Sequence, residues 1–243
     1  MNVLPTSVMN ERHQAAESLD YFPTPPWATR ALLHEVLLPL TFWAPLSELT
    51  ALDPCVGGGH MVAPLREVFG RVDFSDVHDW GINPPIRDFT FETVKTLEAD
   101  GLTQPDWVFC NPPFNIGDVF FDRSLAIAQI GFAFFVRVSW LSGQKRYNQI
   151  YRDNKPTFVI HFAERVALIE GVWDPEASTA TDYVWLVWIA GHAPQPPIWL
   201  RPGMQSTYTV TADLVLATPG EAKRRLAERK AEEKRRQAVK AGA

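Results

Sequence analysis

Glu48-Leu49-Thr50-Ala51-Leu52-Asp53-Pro54-Cys55-Val56-Gly57-Gly58-Gly59-His60 is the stretch that decides the fold. Glu48 to Asp53 reads as a short strand, the three glycines as a tight turn, and Met61 to Phe69 as a helix. A strand, a glycine turn and a helix form the first half of a nucleotide-binding βαβ unit. The dinucleotide fingerprint is not met, because the position three beyond Gly59 is Val62 rather than glycine. Asp53, an acid at the strand end, would repel two phosphates and welcome an ammonium group. The turn therefore suits a cofactor with a cationic amino-acid portion.

A second anchor lies downstream. Asp106-Trp107-Val108-Phe109-Cys110 reads as a buried strand and runs into Asn111-Pro112-Pro113-Phe114. Neither proline donates a ladder hydrogen bond, and both fix φ, so the strand ends in a rigid turn. The Asn111 side-chain oxygen and the Pro112 carbonyl are acceptors for the two N–H bonds of a planar aryl amine. Such a pair draws the amine's lone pair out of conjugation, and Phe114 would stack on the ring. If the two strands are neighbours where the strand order reverses, both motifs share one crevice at the carboxyl ends. Cys55 and Cys110 then lie close together, as small buried hydrophobes rather than metal ligands or a disulfide.

A chain of 243 residues holds one α/β domain with a sizeable core. No run is long and apolar enough to span a bilayer and no signal pattern opens the chain, so a cytoplasmic protein is expected. The net charge of −5 is unevenly spread. Residues 221–243 carry nine Lys/Arg against four Glu, leaving the body near −10. An acidic body does not attract phosphates unspecifically, whereas the basic tail would.

Upstream, Tyr21-Phe22-Pro23-Thr24-Pro25-Pro26 precedes a helical pattern from Trp27 to Leu38, with Thr24 placed to cap it. Thr24-Pro25 before a helix, Asp53-Pro54 with Gly57 and Gly59, and Asn111-Pro112-Pro113-Phe114 follow one another in an order that resembles the S-adenosylmethionine-dependent amino-methyltransferases of DNA, in the gamma arrangement. The resemblance covers roughly residues 21–190. It implies a Rossmann-like class I methyltransferase fold, a seven-stranded mostly parallel sheet with helices on both faces and an antiparallel seventh strand. It implies S-adenosylmethionine as cofactor, and a duplex DNA adenine flipped into the Asn-Pro-Pro-Phe pocket for methylation at N6. Asn111, Pro112, Pro113 and Phe114 become the catalytic residues. Phe22, Thr24, Pro25, Asp53, Pro54, Gly57 and Gly59 fall to the cofactor. N4-cytosine, RNA adenine or protein glutamine are the other planar amines such turns serve, and a non-catalytic cofactor-binding protein is the remaining alternative.

In the same frame Asp76, following a strand from Arg71 to Phe74, is placed for the ribose hydroxyls, with Val77 under the adenine and Trp80 nearby. Asp79 is the alternative ribose ligand. Asp76, His78 and Asp79 also admit a metal reading, which no other Cys/His cluster supports; no metal is expected. Asp88-Phe89 resembles an adenine-contacting pair, and Asp88 equally caps a helix from Thr90 to Ala99. Further elements are a helix from Gly117 to Ile130 and strands Phe132–Val136, Thr157–Phe162 and Thr181–Ile189, the last two counted as sixth and seventh. Residues 163–180 are a candidate hairpin lining the cleft. Lys145 and Arg146 are placed to meet phosphates, and Trp140 or Tyr147 to stack on bases, or else this is a solvated helix start. The expected organisation is a flexible arm at 1–20, a methyltransferase domain at 21–218 and a charged basic tail at 219–243. Only about fifty residues follow Ile189, so a large target-recognition region is lacking, as suits a small phage or mobile-element enzyme.

Overall fold

The computed structural model describes residues 19–40 and 44–241; the expected N-terminal arm lies outside them except for residues 19 and 20. Seven strands form one sheet: β1 (Thr50–Asp53), β2 (Arg71–Phe74), β3 (Trp107–Cys110), β4 (Gly131–Arg137), β5 (Phe158–Phe162), β6 (Tyr183–Ile189) and β7 (Ile198–Leu200). Their order is β2-β1-β3-β4-β6-β5-β7. All neighbouring pairs are parallel except those of β6, which runs antiparallel to both β4 and β5.

The central strands are buried along their whole length, because both faces are covered. Alternation along them separates two cores. Trp107, Phe109, Phe135 and Trp185 face α1 (Pro26–Leu32) and α2 (Val62–Arg66), where Trp27, Leu32 and Leu65 meet them. Val108, Cys110, Phe134 and Trp188 point the other way, to α3 (Val94–Ala99) and α4 (Gly117–Ile127) through Leu97, Phe120 and Phe121.

Several elements differ from the sequence reading. Between β2 and β3 the chain adds to its strands only an isolated parallel bridge, Asp76 to Ile86. The strand expected as the antiparallel seventh, Thr181–Ile189, is found as β6, antiparallel to both neighbours as expected. An additional short strand, β7, lies at the sheet edge after Pro196-Pro197, a place that tolerates missing donors. The strands taken as sixth and seventh are therefore β5 and β6 in chain order. Thr24 does not cap α1: Pro25 holds the N-cap position and no side chain bonds there. Asp88 caps a short turn, Phe89–Phe91, while α3 starts later on a Thr93–Thr96 capping box. Residues 163–180 form one tight antiparallel turn, Ile169 to Val172, rather than an extended hairpin.

Past β4 come α5 (Gln144–Arg146), which runs on as a wider turn over Tyr147–Tyr151, then α6 (Met204–Tyr208) and α7 (Glu221–Ala241). The charged tail is thus a helix, with Arg225 and Arg236 each paired to a Glu four residues before it. Buried Asp174 accepts from the Gly220 and Ala222 amides and so caps its first turn. No described helix is long and apolar enough to cross a membrane.

Candidate active site

β1 and β3 are parallel neighbours, with β2 on the other side of β1, so the strand order reverses at β1/β3. A cleft of about 320 Å³ opens at their carboxyl ends, within the roughly 300–1,000 Å³ of small-molecule sites. Its walls are the strap before α1, the glycine loop after β1, the loop after β2, and the Asn-Pro-Pro-Phe turn after β3.

The strap is tied to the turn after β3 at two successive points. The Asn111 Nδ2 donates to the Phe22 carbonyl at 2.8 Å, and the Phe114 amide donates to the Asp20 carboxylate at 3.1 Å. The first bond fixes the amide's orientation. Oδ1 then has no partner among the described residues and remains an acceptor on the cleft wall. Phe22 and Phe114 meet with ring centroids 5.4 Å apart, and the Arg137 guanidinium lies over the Phe114 ring at 4.9 Å.

The glycine loop is shaped by Tyr21. A Cβ on Gly57 would lie 2.3 Å from the Tyr21 ring, and one on Gly58 2.5 Å from its hydroxyl. Gly57 also needs its φ of +53°. Its amide donates to Asp76 Oδ2 at 2.9 Å, joining the ends of β1 and β2 across the cleft. Tyr21 stacks on Trp80 at 4.3 Å, and burial pushes its phenol up to about 12, so it stays neutral.

Phe22, Thr24, Pro54, Gly57, Asp76, Val77, Asp88, Asn111 and Pro113 all line the cleft. Pro25, Gly59 and Pro112 do not, and Phe114 stands beside it. Phe89 is 1% exposed and packs on Phe120 at 5.0 Å, which puts it in the core rather than against a ligand. Asp53 is completely buried behind the loop wall. Its Oδ1 accepts from the Cys55 amide at 3.2 Å and its Oδ2 has no partner among the described residues. Burial, with Asp76 adding, raises this carboxyl to about 8. Asp79 is not a cleft residue: it accepts the amides of Gly81, Ile82 and Asn83, which build the loop and hold its pKa down. Among the described residues no three His, Cys, Asp or Glu side chains are grouped to hold a metal.

The Cys55 and Cys110 neighbourhood is as expected, with the Cys55 thiol 3.5 Å from the Asn111 carbonyl. The Cys110 thiol and then burial push Cys55 well up, and burial raises Cys110, so both remain thiols.

On the acceptor side, Lys145 is exposed and pairs with Asp118 at 3.1 Å. Arg146 is committed to packing, over the Trp140 ring and bonded to the Trp140 and Ser142 carbonyls. Trp140 is buried and cannot offer a stacking face, whereas Tyr147 is exposed.

Sequence reasoning missed Tyr21, His60 and Arg137. Three adjacent glycines signal that something packs closely there, and that something is Tyr21. His60 lines the cleft while its Nε2 faces the Leu216 carbonyl at 3.1 Å; a carbonyl only accepts, so Nε2 carries the proton. Burial lowers the His60 pKa, leaving Nδ1 a bare acceptor. Nδ1 of His60 and Oγ1 of Thr24 are buried polar atoms on this wall with no partner among the described residues. Such groups are costly unless something bonds them. These polar groups, with the Asp76 carboxylate on the same wall, fit a polar amino-acid-bearing nucleoside such as S-adenosylmethionine.

No protein-family model matches the sequence, and no curated protein matches it. Solved structures do. One, described as a modification subunit of a type I restriction enzyme from Vibrio vulnificus YJ016, aligns with 82% of this chain at 13% identity and a TM-score of 0.52. The type IIG restriction endonuclease BpuSI aligns with 77% at 13% identity and a TM-score of 0.52. The chain spans 52% of the first protein and 28% of the second. The fold is that of the Rossmann-like class I methyltransferases. The likeness at these identities is one of fold.

Proposed function

We propose that this protein transfers a methyl group from S-adenosylmethionine to the N6 amine of an adenine in DNA, with the base flipped into the cleft beside the Asn-Pro-Pro-Phe turn. The observation that carries the proposal is the Asn111–Phe22 bond of 2.8 Å, which commits the amide nitrogen to the strap and leaves the oxygen for an incoming amine. Asn111 Oδ1 accepts an N–H bond of the amine, and the Pro112 carbonyl, which does not line the cleft, is the second acceptor the turn offers. Its lone pair is drawn from the ring and becomes nucleophilic. The cofactor, when bound, would supply an electrophilic methyl group on a sulfonium and would leave as S-adenosylhomocysteine, the methylated amine giving up one proton to water.

Thr24, His60, Asp76 and the Gly57 region hold the cofactor, with Val77 and Trp80 on the nucleoside side. Asp53 acts from behind the loop and shapes it, without touching the ligand. Catalysis comes from positioning and amine polarisation. A restriction-enzyme modification subunit and a restriction endonuclease that share the fold support a nucleic-acid acceptor. The acidic body instead favours a protein amide.

Incubation with methyl-labelled S-adenosylmethionine and unmethylated DNA, followed by mass spectrometry of the nucleosides, tests the proposal. N6-methyladenine is the expected product. N4-methylcytosine would overturn the base assignment alone, and label in RNA or protein would overturn the DNA assignment.

A further inference from the structure

Arg137 is the last residue of β4, at the same end of the sheet as the Asn-Pro-Pro-Phe turn. In the β3/β4 ladder Cys110 is level with Phe134. β4 runs three residues past that last pair to Arg137, on the side of β3 away from β1 and its glycine loop. Its guanidinium lies over the Phe114 ring at 4.9 Å.

Among the described residues this arginine pairs with no carboxylate. Arg30, Arg87 and Arg165 each sit against an acid, as do the α7 arginines Arg224 and Arg225. Arg137 makes no ion pair among the described residues, although it is half buried. Its Nε is sealed from solvent without a partner, while the terminal nitrogens are not among the sealed atoms. A half-buried cation with a sealed, unbonded nitrogen is unfavourable unless an anion meets it. The Phe114 ring meanwhile holds the guanidinium plane, which pre-organises the fork for a bidentate acceptor.

We infer that Arg137 is a substrate-binding residue that takes a phosphodiester of the acceptor strand next to the flipped nucleotide. The inference rests on the acceptor being a planar amine polarised at Asn111. Among acceptors of that kind, a nucleotide base carries a phosphodiester one sugar away, whereas a glutamine amide carries no anion of its own. Arg137 therefore selects for nucleic acid over protein. The same position revises the role of Phe114: one face of its ring supports the guanidinium, so the ring organises the phosphate contact as well as bordering the base.

The test is DNA affinity as a function of salt. Binding of a fluorescent DNA oligonucleotide is measured with S-adenosylhomocysteine present, for the wild type, Arg137→Gln and Arg137→Lys, together with S-adenosylhomocysteine affinity and thermal unfolding. Arg137→Gln should weaken DNA binding on the order of tenfold or more and flatten the log–log salt slope by about one. Arg137→Lys should keep the slope and recover only part of the affinity, since the charge stays and the fork is lost. In both, S-adenosylhomocysteine affinity should hold. An unchanged slope in Arg137→Gln, with DNA still methylated by the wild type, would sink the phosphate contact and leave the proposed reaction standing. A parallel loss of S-adenosylhomocysteine affinity would make Arg137 a structural residue and overturn the inference. If the wild type methylates a protein amide and no nucleic acid, the DNA reading fails and this one with it. Should Arg137→Gln not fold, Arg137→Lys decides: full DNA affinity there would overturn the fork.

Discussion

Asn111 Nδ2 and the Phe22 carbonyl lie 2.8 Å apart, so one side chain both closes the strap over the cleft and presents its oxygen to an acceptor. The two atoms of the amide have different tasks, and two substitutions separate them. Asn111→Ala removes the oxygen and the strap bond; transfer should fall by about two to three orders of magnitude, the scale for losing one positioned polar group. Asn111→Asp keeps an acceptor but sets a carboxylate oxygen against the Phe22 carbonyl. It should abolish transfer and also weaken S-adenosylhomocysteine binding more than Asn111→Ala does, because repulsion pushes the strap away. Single-turnover transfer and calorimetric binding read the two effects. Equal cofactor affinity in both variants would break the link between turn and strap.

Gly57 is the second such position, and its cost can be divided. Any side chain there meets a left-handed φ of +53° and the Tyr21 ring. Gly57→Ala should destabilise by about 1–2 kcal/mol from the backbone alone, with the clash against Tyr21 added. In the Gly57→Ala/Tyr21→Ala double variant the clash is absent and only the backbone portion remains, after the separate cost of Tyr21→Ala is subtracted. Denaturant unfolding of the four proteins gives the coupling. Strict additivity would show that Tyr21 does not sit on the loop.

Much of this arrangement was legible in the sequence, for identifiable reasons. The apolar run from Trp107 to Cys110 and the glycine run of 57–59 are local signals, and they place β1, β3 and the turn after each strand correctly. What was not legible depended on long-range choices. Thr24 has an N-cap's composition, yet Pro25 occupies that position and the threonine hydroxyl turns inward without a partner. Phe89 follows an acid that lines the cleft, but its ring is apolar and Phe120 offers it a core site. Arg137 reads as an ordinary strand end; only its lack of an ion pair among the described residues, together with its place over the Phe114 ring, marks it out. The β7 strand was hidden by Pro196 and Pro197, which disqualify a central strand and leave an edge strand possible.

Asp53 makes the stability of the ligand-free protein depend on pH. Its carboxyl is raised to about 8 in the fold, against an ordinary value near 4 when exposed. The folded state therefore holds a proton that the unfolded chain has released, and stability is lost as pH climbs from about 4 to 8, at up to about 1.4 kcal/mol per pH unit. Above about 8 the carboxyl is ionised in both states and the loss stops growing. Asp76, Cys55 and Cys110 are the titratable groups facing it, and none supplies a positive charge. Asp53→Asn keeps an acceptor for the Cys55 amide and removes the titration. Melting curves from pH 5 to 8 should show the wild type falling relative to Asp53→Asn. Parallel curves across that range would mean that Asp53 is already ionised in the fold.

Arg30 joins α1 to both ends of the chain's packing, with Glu67 Oε1 and Oε2 at 2.7 and 2.8 Å and Asp213 Oδ1 and Oδ2 at 2.8 and 2.6 Å. The two carboxylates are not equivalent. Glu67 is 43% exposed, so water replaces much of what it gives, and Glu67→Ala should cost no more than about 1 kcal/mol. Asp213 is 2% exposed and faces an arginine that is equally sealed. Asp213→Ala leaves buried positive charge short of a counter-ion and should cost roughly 3–5 kcal/mol. The effect should also reach the cleft. Asp213 anchors the segment whose Leu216 carbonyl fixes the His60 tautomer, so its loss frees the imidazole and should weaken S-adenosylhomocysteine binding. Denaturant unfolding ranks the two variants, and calorimetry on folded protein at low temperature reads the second effect. If Glu67→Ala proves the more damaging, the clamp is held from the surface side and the path from Asp213 to His60 carries no weight.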